Sequence, residues 1–129
     1  MNKYFTNTYP IINLYKKKSV KSEIITQMIY GDSFLITNRT KKWLKIKIKE
    51  DNYKGYIENR NFNTYIKPTH KVAVLKAAIY KLSGNKKKIS QLSFGSKIQA
   101  KNIKAKFIKF ENGWIHQKNI KPIKYKEKN

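Results

Sequence analysis

The 129-residue sequence contains no cysteine. This absence excludes disulfides, thiolate metal sites and a cysteine nucleophile. The two histidines, His70 and His116, stand in separate contexts without a carboxylate cluster, so we predict no metal site and no cofactor. No apolar run is long enough to cross a bilayer or to form the core of a signal peptide. We therefore expect a soluble, cytoplasmic chain without a membrane partner.

Acidic residues and arginine are also scarce. The sequence has seven acidic and 30 basic residues, which gives a net charge of +23. Of the basic residues, only Arg39 and Arg60 are arginine. Readout of bases and bidentate phosphate contacts favour the planar guanidinium over the ammonium of lysine. The composition therefore favours a solvated lysine surface, with solvated loop tips at Lys16–Lys18 and Lys86–Lys88. Binding to nucleic acid is expected to be non-specific and sensitive to salt.

What the sequence does contain is an internal repeat. The stretch "ITQMIYGDSF" (25–34) returns as "ISQLSFGSKI" (89–98), and "GYIENRNF" (55–62) returns as "GWIHQKNI" (113–120). The first copy is six residues longer, around "KEDNYK" (49–54). The chain therefore holds two related units of about 55 residues each.

Each copy is predicted to form short strands separated by turns. The segment "KIKIK" (45–49) alternates strictly, so its isoleucines share one face, and glycine closes the strands that end near residues 31 and 95. We expect polar turns at "TNRTKK" (37–42) and "NIKAK" (102–106), and short 3₁₀ turns at "ENRNF" (58–62) and "HQKNI" (116–120). Trp43 and Phe107 are assigned to the core, while core and groove positions are equally open for Trp114. The predicted fold is all-β, with two tandem small barrels and a short linker.

The order and spacing of five motifs resemble bacterial SH3-like domains over residues 10–123. The motifs are "IYGDSF" (29–34), "WLKI" (43–46), "DNYKGYI" (51–57), "PTHKV" (68–72) and "QLSFGSKI" (91–98). The arrangement is similar to the N-terminal, dipeptidyl-peptidase-type pair of SH3-like domains in NlpC-type cell-wall cysteine peptidases. The predicted organisation is an N-terminal extension (1–9), a first SH3-like domain (10–66), a linker (67–71), a second SH3-like domain (72–123) and a C-terminal tail (124–129).

The resemblance implies a function for the first domain. In that family a separate C-terminal domain with a Cys-His dyad cuts the bond between D-glutamate and a diamino acid in cell-wall peptides. The first SH3-like domain closes the active site and helps to recognise the free amino terminus of a short muropeptide. Carried over to this sequence, the binding residues are Asp32 and Tyr53, with Tyr30 and Tyr56 as possible walls. The chain itself is then not an enzyme, and it has no catalytic residue. Its partners are an NlpC-type catalytic domain, in cis or in trans, and short cell-wall peptides.

Other interpretations of the same residues stay open. Asp32 follows a Tyr-Gly pair, and an aspartate in such a turn usually bonds nearby backbone. The second copy has Ser96 in place of Asp32 and lacks the Tyr53 segment, so we expect it to act as a spacer or docking unit. The charge and the tyrosines also fit a polyanion-binding module. A third possibility is a remnant that folds and binds nothing.

Overall fold

The computed structural model describes residues 3–84 and 86–124. Within them the regular structure consists of β-strands and one short 3₁₀ helix. The chain separates into two compact units, residues 1–66 and residues 67–129. The predicted all-β class is confirmed.

The first unit is a single antiparallel sheet of seven strands, in the spatial order β3-β2-β6-β5-β4-β1-β7. Its strands are β1 (Tyr4–Thr6), β2 (Ile11–Tyr15), β3 (Ile24–Ile29), β4 (Ser33–Arg39), β5 (Trp43–Ile48), β6 (Lys54–Glu58) and β7 (Asn63–Thr64).

Alternating side chains build the core of this unit. On β5, Leu44, Ile46 and Ile48 are buried, whereas Lys45 between them is exposed. This confirms the alternation predicted for "KIKIK", because successive strand residues point to opposite faces. The buried residues of the core cluster are Ile12, Leu14, Met28, Phe34, Leu44, Ile46, Ile48 and Ile57.

The second unit has two antiparallel sheets, β10-β9-β14-β13-β12 and β11-β8-β15. Its strands are β8 (His70–Val72), β9 (Lys76–Leu82), β10 (Lys86–Ser93), β11 (Lys97–Ile98), β12 (Asn102–Lys104), β13 (Phe107–Phe110), β14 (Gly113–His116) and β15 (Ile120–Pro122). A 3₁₀ helix at Gln117–Asn119 precedes β15, as predicted for "HQKNI".

The repeat in the sequence has a counterpart in strand pairing. The six pairings of the first unit (β1 with β4 and β7, β2 with β3 and β6, β5 with β4 and β6) recur as β8 with β11 and β15, β9 with β10 and β14, and β13 with β12 and β14. The second unit divides the counterpart of β4 into β11 and β12. Both units turn after their third strand at a glycine of positive φ, 90° at Gly31 and 87° at Gly95.

Two predicted domain boundaries differ from the structure. The sequence predicts an extension at residues 1–9, yet β1 pairs with β4 and β7, and the Phe5 ring stacks on Phe34 with centroids 6.1 Å apart. The sequence predicts a linker at residues 67–71, yet β8 starts at His70 and pairs with β11 and β15. Strands β1 and β8 are held by backbone bonds to strands that are distant in sequence, and no local pattern of side chains reveals such pairing.

Several local predictions are also wrong. β4 continues to Arg39 inside the predicted turn "TNRTKK", and β12 occupies Asn102–Lys104 inside "NIKAK". No 3₁₀ helix forms at residues 58–62, and the backbone of Lys86–Lys88 belongs to β10 rather than to a loop. Trp43 is half-buried on the face of β5 opposite the core, where it makes an edge contact with Tyr15 at 5.9 Å. Phe107 is buried as predicted, and Trp114 is half-buried.

Candidate functional site

The predicted residues Asp32 and Tyr53 lie on turns at one end of the first unit. The Cα pairing of Phe34 with Ile48 sets the start of β4 beside the end of β5. The turn before β4 and the loop after β5 therefore meet, and the Lys49 amide donates to the Ser33 carbonyl at 2.8 Å. We call this region, residues 30–33 and 49–53, the turn end.

Asp32 has a structural role at the turn end. Its Oδ2 accepts a hydrogen bond from the Ile29 amide at 2.9 Å, and its carbonyl accepts one from the Asn7 amide at 2.8 Å. Asp32 therefore bonds nearby backbone, as the alternative interpretation of this turn predicts. The same bonds hold the carboxylate in a fixed, half-buried position.

Asn7 stabilises this turn from the N-terminal segment, and the sequence analysis missed it. Its side chain is completely buried. The Nδ2 donates to the carbonyls of Ile29 and Tyr9 at 3.0 Å each, and the Oδ1 accepts from the Tyr9 amide at 2.9 Å. No pattern in the sequence singles out this asparagine, because it lies outside any apolar periodicity.

Glu50 is a second carboxylate that sequence reasoning missed. Both of its oxygens accept from the Ser33 amide, at 3.1 and 3.3 Å. Together with Asp32 and Asp51 it places three of the seven acidic residues of the chain at the turn end. The end also has a cation, since the Lys49 Nζ lies 5.2 Å from the Tyr4 ring centroid and 5.3 Å from that of Tyr65.

Tyr53 is presented to solvent by a well-defined loop. Its amide donates to Asp51 Oδ1 at 3.0 Å, and its carbonyl accepts from the Ile48 amide at 2.9 Å. Asn52 takes the left-handed conformation that the tight turn needs, with φ of 63°. The side chain of Tyr53 is 49% exposed, so its ring is available to a ligand.

The other two predicted residues do not form walls of a binding surface at this end. Tyr30 is only 1% exposed, so the prediction that it lines a binding surface is wrong. Tyr56 lies on β6 between the buried Gly55 and Ile57, so it points away from the core. Its ring lies under the ammonium of Lys18, at 5.7 Å.

The histidines occupy structural positions. Thr69 Oγ1 and His70 Nδ1 share a hydrogen bond of 2.8 Å, and burial of His70 lowers its pKa. His116 Nδ1 accepts from the Lys118 amide at 3.1 Å. Among residues 3–84 and 86–124, no group of three or more His, Asp or Glu side chains is arranged to hold a metal ion. In the same part of the chain, no helix has the length and apolar character that a membrane crossing needs.

Residues 14–61 match the bacterial dipeptidyl-peptidase SH3 domain. The match runs from β2 to the segment after β6 and includes Asp32 and Tyr53. The resemblance predicted from sequence is therefore confirmed for the first SH3-like unit.

Solved structures give a wider comparison. NlpC2 from Trichomonas vaginalis is 13% identical with a TM-score of 0.40, and the alignment covers 98% of this chain and 49% of that one. NlpC1 from the same organism is 12% identical with a TM-score of 0.41, with coverage of 98% and 46%. The chain thus spans about half the length of these two structures. None of the curated proteins matches it.

Proposed function

We propose that this chain is the non-catalytic SH3-like module of an NlpC-type peptidase that acts on cell-wall peptides. Its first unit would position short muropeptides by their free amino terminus. The observation that carries this proposal is the position of Asp32 and Tyr53. They lie at the same end of the unit, inside the region that matches the dipeptidyl-peptidase SH3 domain. The absence of cysteine means that this chain supplies no Cys nucleophile.

The chemistry of the turn end suits an ammonium group. A carboxylate favours an ammonium through charge-assisted hydrogen bonds, and an aromatic face adds roughly 0.5–2 kcal/mol. Asp32 is held by the Ile29 amide and Tyr53 by its loop. A ligand therefore meets groups that are already ordered, which reduces the entropy cost of binding.

The second unit is proposed to be a spacer or docking unit. Ser96, which stands in place of Asp32, is completely buried. In the second unit the loop between β13 and β14 consists of Glu111 and Asn112 alone, so this loop has no counterpart of Tyr53. A catalytic domain, in cis or in trans, would supply the chemistry. A cytoplasmic location stays a prediction.

The test is an amide-shift titration of the whole chain with L-Ala-γ-D-Glu-diaminopimelate and with its N-acetylated form. We expect shifts centred on Asp32 and Tyr53 with the free peptide only. Asp32→Asn keeps an acceptor for the Ile29 amide and removes the charge, so it should weaken binding about tenfold. Glu58→Gln is the matched control, because it removes an exposed carboxylate from the other end of β6.

Two results would contradict the proposal. One is equal binding of the acetylated peptide, which would show that the ammonium is not recognised. The other is an equal loss in Asp32→Asn and Glu58→Gln, which would show that only overall charge matters. No shift with any ligand would support the remnant that binds nothing.

The alternative is a polyanion-binding module, which the net charge of +23 favours. Lys16 and Lys17 are exposed and, with Ser22 and Glu23, line a shallow depression of about 280 Å³. Binding of a single-stranded oligonucleotide at this surface should fall steeply with salt. Asp32→Asn should leave oligonucleotide binding unchanged, whereas it should weaken muropeptide binding.

A further inference from the structure

The only two arginines of the chain line one groove in the first unit. The sequence has 30 basic residues, of which all but Arg39 and Arg60 are lysine. The groove has a volume of about 360 Å³, and its lining includes Phe5, Arg39, Leu44, Asn59, Arg60 and Phe62. We call it the arginine groove.

Arg39 is held at the groove by the turn between β4 and β5. Thr40 closes this turn, since its amide donates to the Trp43 carbonyl at 2.8 Å and its Oγ1 accepts from the Trp43 amide at 3.1 Å. The Arg39 guanidinium carbon lies 5.7 Å from the centroid of the Phe5 ring. Strand pairing and a ring contact therefore both restrict where this side chain points.

Arg60 lies on an irregular segment that is fixed on both sides. The Asn59 Nδ2 donates to the Thr40 and Lys41 carbonyls at 3.3 and 3.2 Å. On the other side, the Tyr9 hydroxyl donates to the Asn61 carbonyl at 3.1 Å. The Arg60 guanidinium carbon lies 5.0 Å from the centroid of the Tyr9 ring.

The N–H groups of both guanidinium groups are available to a ligand. Both side chains are exposed, and among the described residues neither guanidinium forms an ion pair or a hydrogen bond with a protein group. A guanidinium that stacks on a ring still offers its N–H donors in the plane of the fork, which matches two oxygens of a carboxylate. Because the cations lie over the Phe5 and Tyr9 rings, these rings are poor platforms for stacked bases.

The arginine groove lies at the opposite end of β4 and β5 from the turn end. β4 has seven residues, from Ser33 beside Asp32 to Arg39, so it spans roughly 20 Å. The lining of the groove contains no residue of the turn end, so the groove is a separate site.

We propose that the arginine groove binds the carboxylates of a short acidic peptide. This inference does not rest on the proposed function, since it concerns other residues and another charge. The second unit offers an internal comparison. Ile103 is the counterpart of Arg39, because it pairs with Ile108 as Arg39 pairs with Leu44. Lys118 is the counterpart of Arg60 in the sequence repeat. The pair of arginines is thus confined to the first unit.

The experiment is a titration of the whole ¹⁵N-labelled chain with L-Glu-L-Glu, followed by amide shifts. The control ligand is L-Gln-L-Gln amide, which has the same backbone and amino terminus but no carboxylate. We expect shifts at residues 39–40 and 59–62 with the acidic dipeptide only, and none at residues 103 and 118. Arg39→Gln and Arg60→Gln should each raise the Kd about tenfold, because each removes charge-assisted hydrogen bonds.

Matched variants test whether binding needs the forked guanidinium or only a positive charge. Arg39→Lys and Arg60→Lys keep the charge and should still weaken binding several-fold, because lysine lacks the fork. Lys109→Gln removes one exposed positive charge from the second unit and should leave the Kd unchanged. All variants retain the backbone bonds that hold the groove, and their amide dispersion reports whether they fold.

Three outcomes would overturn the proposal. If Lys109→Gln weakens binding as much as Arg60→Gln, the attraction is only the net charge. If the arginine-to-lysine variants bind as well as the parent chain, the fork plays no part. If inorganic phosphate or a short oligonucleotide binds the groove more tightly than L-Glu-L-Glu, the ligand class is wrong.

Discussion

Replacement of Gly55 by alanine tests whether two strands of the first unit approach as closely as the structure shows. A Cβ at this position would lie 2.7 Å from the Tyr15 carbonyl oxygen and 2.9 Å from the Leu14 Cγ, where ordinary contact begins at 3.4 Å. Neither neighbour can withdraw easily, since one is backbone and the other is fully buried in the core. About 0.7 Å of overlap must therefore be relieved by separating β2 from β6.

The expected cost follows from two opposing effects. Overpacking of a core typically costs about 1–3 kcal/mol. Alanine recovers about 0.4–1 kcal/mol, because it restricts the unfolded chain more than glycine does. Because the overlap is with a backbone oxygen, the overpacking cost belongs at the upper end of its range, about 3 kcal/mol. The net loss should then be about 2 kcal/mol, which at a urea m-value of about 1 kcal/mol/M lowers the unfolding midpoint by about 2 M. The assay is urea unfolding followed by Trp43 fluorescence in a Trp114→Phe background.

Two other glycines serve as comparisons. Gly113 is the counterpart of Gly55, and a Cβ there would meet the Tyr80 carbonyl oxygen at 2.6 Å with φ at 151°, so its alanine variant should lose at least as much stability. Gly84 has φ of 83° but open space around it, so it should lose only about 1–2 kcal/mol from backbone strain. Unchanged or increased stability in Gly55→Ala would refute the close approach.

Three further predictions concern single residues. Asn7→Ala should lower the free energy of unfolding by about 3 kcal/mol, because it removes three hydrogen bonds of a buried side chain. Urea unfolding of the first unit measures this loss. A loss below about 0.5 kcal/mol would show that the turn does not depend on Asn7. Ser96→Ala should be neutral or stabilise by up to about 1 kcal/mol, since its buried Oγ has no hydrogen-bond partner among the residues that the structure describes. Marked destabilisation in urea would reveal a missed partner. Burial lowers the pKa of His70 below 6.5, so the unfolded state takes up the proton first. The second unit therefore loses stability as the pH falls through 6.5. His70→Gln should remove this pH dependence of the unfolding free energy, and an unchanged dependence in the variant would refute the reasoning.

Some of the candidate site was predictable from sequence because it depends on local patterns. The turn at Gly31 and Asp32, the exposed loop at Tyr53 and the alternation of β5 all follow from the order of glycine, polar and apolar residues. The orientation of Tyr30 did not follow, since a residue at a turn can point either way until the sheet closes over it. The roles of Asn7 and Glu50 could not be predicted either, because each bonds to backbone that is far along the chain.

The sequence by itself determined the duplication, the all-β class and the buried face of the central strands, since these depend on residue type and spacing within short windows. Only the tertiary structure decided that the N-terminal segment becomes β1, that residues 70–72 become β8, and that Arg39 and Arg60, 21 positions apart, line one groove. The physical reason is that strand pairing uses backbone N–H and C=O groups, which every residue but proline offers in full. Partners distant in sequence are therefore selected by closure of the whole sheet and not by a motif.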